Sequence, residues 1–166
     1  MNDGLLHTLA QHKSIAIDMD DTLVGMPYCK TLRDWVMNNH HNHNLWIITF
    51  RNNKDAGTVW DELAEWRVPQ TCFKGLYNTP QDVWDLAHKG KDGLFWETRN
   101  QRKFEKYMEI HKCTPELMLE WTMLPKMWKA KMAKELGCTL LIDDLEDWVK
   151  PGCDAYGIHW LHPNTL

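Results

Sequence analysis

The chain has 166 residues and a formal net charge of −4, with 43% hydrophobic and 25% charged side chains. That length fits one domain (1–166) with a small insertion, and the composition is that of an ordinary globular protein able to bury a substantial core. The acidic balance argues against an extensive nucleic-acid footprint, and no apolar run approaches the ~18 residues that a membrane helix needs.

Five cysteines (Cys29, Cys72, Cys113, Cys138 and Cys153) are scattered, odd in number and without a C-x-x-C pair. This suits a reduced protein better than a disulfide framework or a structural zinc site. The N-terminus lacks the basic, apolar and small-residue regions of a signal peptide, so a cytoplasmic location is expected. Ten tryptophans fall mostly at helical spacings, where core packing explains them.

Met1 to Lys13 is polar with a few leucines and reads as a loose arm or a short helix at the sheet edge. A β-branched and apolar run, Ile15, Ala16 and Ile17, then stops at three carboxylates, Asp18, Asp20 and Asp21. Short continuous runs of this kind mark strands covered on both faces. Gly25 and Pro27 turn the chain away, and Tyr28, Leu32, Trp35 and Val36 recur at helical spacing through about Asn39. The NNHHNHN segment that follows reads as an exposed connection. Its His40, His41 and His43 have no acidic or cysteine partner at metal-binding spacing.

Leu45 to Ile48 is the second predicted strand, ending in Thr49 with Phe50, Arg51 and Asn52 beyond it. A hydroxyl and a guanidinium past a strand end suit an anionic oxygen; a helix cap and a solvated charge are the equal alternative. A helix is predicted from about Asp55 to Arg67, stopped by Pro69, and Thr71 to Tyr77 reads as a third strand interrupted by Lys74 and Gly75. Asn78 to Leu124 exceeds a minimal βαβ repeat. It reads as helical pieces (Pro80 to Lys89, Thr98 to His111, Pro115 to Met123), either a cap over the site or extra helices on the flank.

Pro125 opens another predicted helix to Leu136, with Gly137 as its stop. Thr139 to Ile142 is a strand that ends in Asp143 and Asp144. A short helical segment with Asp147 and Trp148 gives way to a turn at Pro151 and Gly152, and Ala155 to Leu161 closes as a final strand. The alternation predicts an α/β fold: a Rossmann-like, doubly wound parallel sheet with helices on both faces and a small, mostly helical insertion.

Four features recur in order: Asp18 and Asp20, Thr49, a helix carrying Lys126, Lys129 and Lys131, and Asp143 with Asp144. Open α/β sheets hold ligands outside the carboxyl ends of their strands. Carboxylates packed this densely repel one another and call for a cation.

Taken together, these residues resemble the haloacid dehalogenase superfamily of phosphotransferases. DMDDT at Asp18 to Thr22 is similar to its first motif, D-x-D-x-T, and LWIIT ending in Thr49 to its second. The lysine helix stands for the third and LLIDD ending in Asp144 for the fourth. The resemblance covers Ile15 to about Trp148 and gives no detailed match for Asn78 to Leu124.

It implies a Mg²⁺-dependent phosphomonoester hydrolase working through an aspartyl-phosphate. Asp18 would be the nucleophile and Asp20 the general acid/base, with Thr22 bracing the loop and the orientation of Asp20. Thr49, Arg51 and a lysine would hold the phosphoryl group, and Lys129 fits best ahead of Lys126 and Lys131. Asp18, Asp144, the Asp20 carbonyl and, through water or by orienting its neighbour, Asp143 would serve the metal. Asp21 stands where many relatives carry glycine, and is expected to face solvent.

T-F-R at Thr49 to Arg51 resembles the S/T-x-R of polynucleotide 3′-phosphatases, and LLIDD is shared with deoxynucleotidases, although those usually carry valine at the position of Thr22. The substrate implied is a phosphorylated small molecule such as a nucleotide, or a nucleic-acid 3′-phosphate end; no membrane or protein partner is implied. Two alternatives stand beside this reading. One is an inactive relative that only binds a phosphorylated ligand. The other is a receiver-type phospho-aspartate signalling domain, disfavoured because its accepting aspartate ends a central strand whereas that strand here is expected to end in Thr49.

Overall fold

The computed structural model describes residues 3–52, 55–81, 83 and 115–166. Five strands, β1 (Ser14–Ile17), β2 (Asn44–Thr49), β3 (Gly75–Asn78), β4 (Leu140–Ile142) and β5 (His159–Leu161), pair in parallel in the order β3-β2-β1-β4-β5. The helices are α1 (Asp3–Ala10), α2 (Cys29–Asn39), α3 (Val59–Glu65), α4 (Pro115–Glu135) and α5 (Glu146–Tyr156). None among the described residues is long and apolar enough to cross a membrane.

Side chains of a strand point alternately to its two faces, and both faces here are apolar. Ile15, Ile17, Leu45, Ile47, Leu140 and Ile142 join one buried cluster with Leu32, Trp35 and Val36 of α2 and Val59 and Leu63 of α3. Ala16, Ile48 and Leu141 join the other with Trp128, Ala130 and Ala133 of α4 and Val149 and Cys153 of α5. Each fully buried Ile or Leu contributes about 1.5–3 kcal/mol. The two clusters therefore fix which face each helix covers.

Several element boundaries differ from the sequence reading. At the N-terminus, residues 3–10 form the short helix, one of the two readings offered for that segment. The helix predicted from Asp55 begins as a 3₁₀ turn (Asp55–Thr58) and ends at Glu65, before Arg67 with its left-handed φ of 60°. The third strand starts only at Gly75, because Gln70–Cys72 is a 3₁₀ turn. The middle strand is β1, which Asp18 directly follows, and not β2, which ends in Thr49; the order also departs from the 2-1-3-4-5 arrangement of receiver domains.

Two corrections share a cause. Pro115 to Met123 and Pro125 to Leu136 are not separate helices, since α4 runs through Pro125. Proline removes one helical hydrogen bond, a cost that tertiary packing of α4 against α5 and the sheet offsets. Likewise Pro151 and Gly152 make no turn but lie inside α5, which shortens the last strand to three residues. Gly152 is a close-approach glycine: a Cβ there would lie 2.6 Å from the Lys126 carbonyl oxygen and 3.1 Å from Ala130 Cβ. The helix stops instead at Gly157, whose φ of 65° is the left-handed cap that glycine adopts without strain. The predicted pieces Pro80 to Lys89 and Thr98 to His111, and Arg99, Arg102 and Lys103, lie wholly or mostly outside the described residues.

Candidate active site

The site is built by register. Ile17 pairs with Ile142 across the β1/β4 ladder, so Asp18 and Asp143 are the next residues on adjacent strands, and Asp18 N–H donates to the Ile142 carbonyl at 2.9 Å. This boundary is where the strand order reverses, the usual ligand crevice of an open parallel sheet. Asp18 and Asp143 stand two residues beyond Ala16 and Leu141, and therefore on the face covered by α4.

From α4, Lys129 reaches both. Its Nζ lies 2.9 Å from Asp18 Oδ1 and donates to Asp143 Oδ2 at 2.6 Å, with the lysine fully buried. Phe50, the first residue past β2 and on the same face, lays its ring 4.3 Å from that ammonium. A buried charge of this kind persists only when it is paired, and here two carboxylates and an aromatic face surround it. Of the three candidate lysines, only Lys129 is brought to the acidic strand ends. Lys126 is part-exposed, with Nζ 5.9 Å from the Trp148 ring, and Lys131 is exposed.

Asp143 is held further. Its Oδ1 accepts the Leu145 N–H at 2.9 Å, and its carbonyl accepts Trp160 Nε1 at 3.0 Å. Asp144, half-buried, accepts the Thr22 hydroxyl at 3.3 Å, so among the described residues Thr22 is tied to the end of β4 and not to the Asp20 side chain. Thr49 is fully buried; its hydroxyl accepts the Arg51 N–H at 3.2 Å, and its carbonyl accepts Thr79 Oγ1 at 3.1 Å. Asp21 is exposed, as expected, and takes a φ of 49°.

Arg51 is engaged by side chains. Its Nε and Nη2 donate to Asp20 at 2.9 and 2.5 Å, and its Nη1 and Nη2 donate to Glu62 of α3 at 2.6 and 2.7 Å. These pairs, with Asp20, hold its guanidinium pKa above the ordinary arginine value despite partial burial. Glu62, Thr79 and Trp160 have no place in the sequence reading of the site, and Phe50 appears there only as the residue between Thr49 and Arg51. Thr79 alone left a trace there, a hydroxyl just past a strand, like Thr49.

The acidic strand ends form one cluster. Asp18, Asp143 and Asp144 each offer a carboxylate oxygen within 4.8 Å of the others. Burial pushes the Asp18 carboxyl up to about 8, with Lys129 opposing and Asp143 adding to the rise. Burial and then Asp143 also raise Asp144. Burial pulls the Lys129 pKa down, but Asp143 and Asp18 outweigh it and leave it above the ordinary lysine value. Among the described residues Asp18 Oδ1 accepts no well-directed hydrogen bond, and Lys129 is its ion-pair partner. Three clustered carboxylates against one ammonium, with a buried oxygen that accepts no well-directed hydrogen bond, are a donor set that fits a hard, oxygen-seeking divalent cation such as Mg²⁺.

A scan against protein-family models finds no match to this chain, and searches of curated proteins and of solved structures find none either.

Proposed function

We propose that the chain is a Mg²⁺-dependent phosphomonoester hydrolase of the haloacid dehalogenase type, acting through an aspartyl-phosphate. The observation that carries this reading is the buried Lys129 bridging Asp18 and Asp143 at neighbouring strand ends. The order β3-β2-β1-β4-β5, with apolar clusters on both faces, also suits a doubly wound, Rossmann-like sheet.

Asp18 attacks phosphorus, forming a Cγ–O–P linkage as the ester P–O bond breaks and its electron pair leaves on the substrate oxygen. Asp20 gives that oxygen its proton, then takes a proton from the water that attacks phosphorus and releases Asp18. Lys129 and Thr49 hold the transferring phosphoryl oxygens, where charge accumulates in the transition state. Asp143 fixes Lys129, and Thr22 fixes Asp144. Held by Asp18, Asp144 and the Asp20 carbonyl, Mg²⁺ would neutralise phosphoryl charge that otherwise repels the nucleophile.

Residues 78–124 are the part of the chain assigned to substrate choice, between a phosphorylated small molecule such as a nucleotide and a nucleic-acid 3′-phosphate. Hydrolysis of p-nitrophenyl phosphate, nucleotides and 3′-phosphorylated oligonucleotides with Mg²⁺ and with EDTA tests the reading. Metal-dependent phosphate release that vanishes in Asp18→Asn supports it; release that persists in Asp18→Asn overturns the mechanism.

A further inference from the structure

Asp20 has an exposed side chain (54%), and among the described residues its carboxylate takes hydrogen bonds from Arg51 alone. An exposed aspartate without that partner samples several rotamers, only some of which face a leaving oxygen. Arg51 is itself a long side chain on a loop and cannot steer Asp20 unless something steers it. Glu62 does so. The Nε/Nη2 edge of the guanidinium meets Asp20 and the Nη1/Nη2 edge meets Glu62, two forks on one rigid plane.

Glu62 is rooted in α3, whose Val59 and Leu63 are fully buried, and Oε1 also accepts the Thr58 hydroxyl at 2.6 Å. Arg51 holds the Glu62 carboxyl below the usual range, so the anchor is charged at neutral pH. Glu62 is placed by the same two-residue period as the site itself. Phe50 leaves β2 toward α4, while the next residue, Arg51, leaves it toward α3.

We propose that Glu62 is a positioning residue for the phosphatase reaction: through Arg51 it fixes the Asp20 carboxyl in the orientation from which it exchanges a proton with the leaving oxygen. The inference rests on the phosphatase reading and adds to it a residue that touches neither phosphate nor metal. A lysine could not replace Arg51, because an ammonium cannot present two forked edges at once.

The test is kcat/KM of the full-length protein with Mg²⁺ across phosphate esters of graded leaving-group pKa, from p-nitrophenyl to simple alkyl. Wild type, Glu62→Gln and Glu62→Ala are compared, with thermal melts to establish folding. Aryl esters leave with little protonation, so they should fall less than about threefold in either variant, while alkyl esters fall roughly tenfold or more in Glu62→Ala. Glu62→Gln keeps one acceptor and should fall between. Equal losses on all esters, or no loss on any, would overturn the positioning role while leaving the phosphatase reading intact. A wild-type protein that releases no phosphate from any ester overturns that reading, and this inference with it.

Discussion

The two ends of the sheet hold titratable groups in opposite ways. At the carboxyl end Asp18, Asp143 and Asp144 crowd around one ammonium, and burial raises Asp18 and Asp144. At the amino end the same strand spacing gathers His12, His43, Thr139 and His159. There His43 Nδ1 donates to the His12 carbonyl at 2.8 Å, His12 Nδ1 bonds the Thr139 hydroxyl at 2.8 Å, and the rings of His12 and His159 lie 5.7 Å apart. His12 and His43 are held there by hydrogen bonds to neighbouring strand starts. The carboxylates share one ammonium, and crowding and burial make full ionisation of all three costly. One edge is tied by hydrogen bonds between neighbours, and the other concentrates acidic groups.

The largest effect expected from breaking this contrast is on turnover. Asp18→Asn should lower kcat by at least about 10⁴-fold, as removal of a nucleophile does, while far-UV circular dichroism stays native. Next is Lys129→Ala, which leaves Asp18 and Asp143 facing each other without a cation. Breaking a buried pair costs about 3–5 kcal/mol, read as a melting temperature lower by roughly 10 °C.

A smaller effect is on the pH dependence of stability, where the edges have opposite signs. The folded-state pKa of Asp18 is raised from 3.8 to about 8. Its contribution is fully present below the unfolded value and is lost as pH rises through about 8. Melting without divalent cation should therefore weaken toward pH 8, Mg²⁺ should restore it, and Asp18→Asn should melt higher than wild type at pH 8 in EDTA. A curve unchanged by Mg²⁺ would break the contrast.

The smallest effect belongs to the amino edge. Burial, then His159 and His43, lower the His12 pKa below 6.5. A depressed base contributes stability above its unfolded pKa and loses it as pH falls through the folded one. His12→Gln should flatten the acid limb of the melting curve and leave kcat/KM unchanged.

Much of the site was legible because strand ends announce themselves: an apolar run that stops at a carboxylate or hydroxyl places that group at the rim of the sheet. Asp18, Thr49, Asp143 and Asp144 were found so. The helix interruptions misled, since Pro125, Pro151 and Gly152 are breakers by local rules but lie within helices held by packing. Among Lys126, Lys129 and Lys131 the resemblance favours Lys129, but the rotation of α4 about its axis, which spacing alone does not give, is what separates it from Lys126. Glu62 is one of 23 acidic residues, and its pairing with Arg51 exists only once α3 folds back on β2.

Gly152 gives the molecule an unexpected point of sensitivity. The backbone of α4 that it touches, from Lys126 to Ala130, is the turn that carries Lys129. A methyl group added on α5 would push that turn and swing the ammonium at the end of its side chain, away from oxygens set 2.6 and 2.9 Å from it. Position 152 therefore works as a gauge block: with no polar side chain, it sets the gap that keeps the lysine aligned.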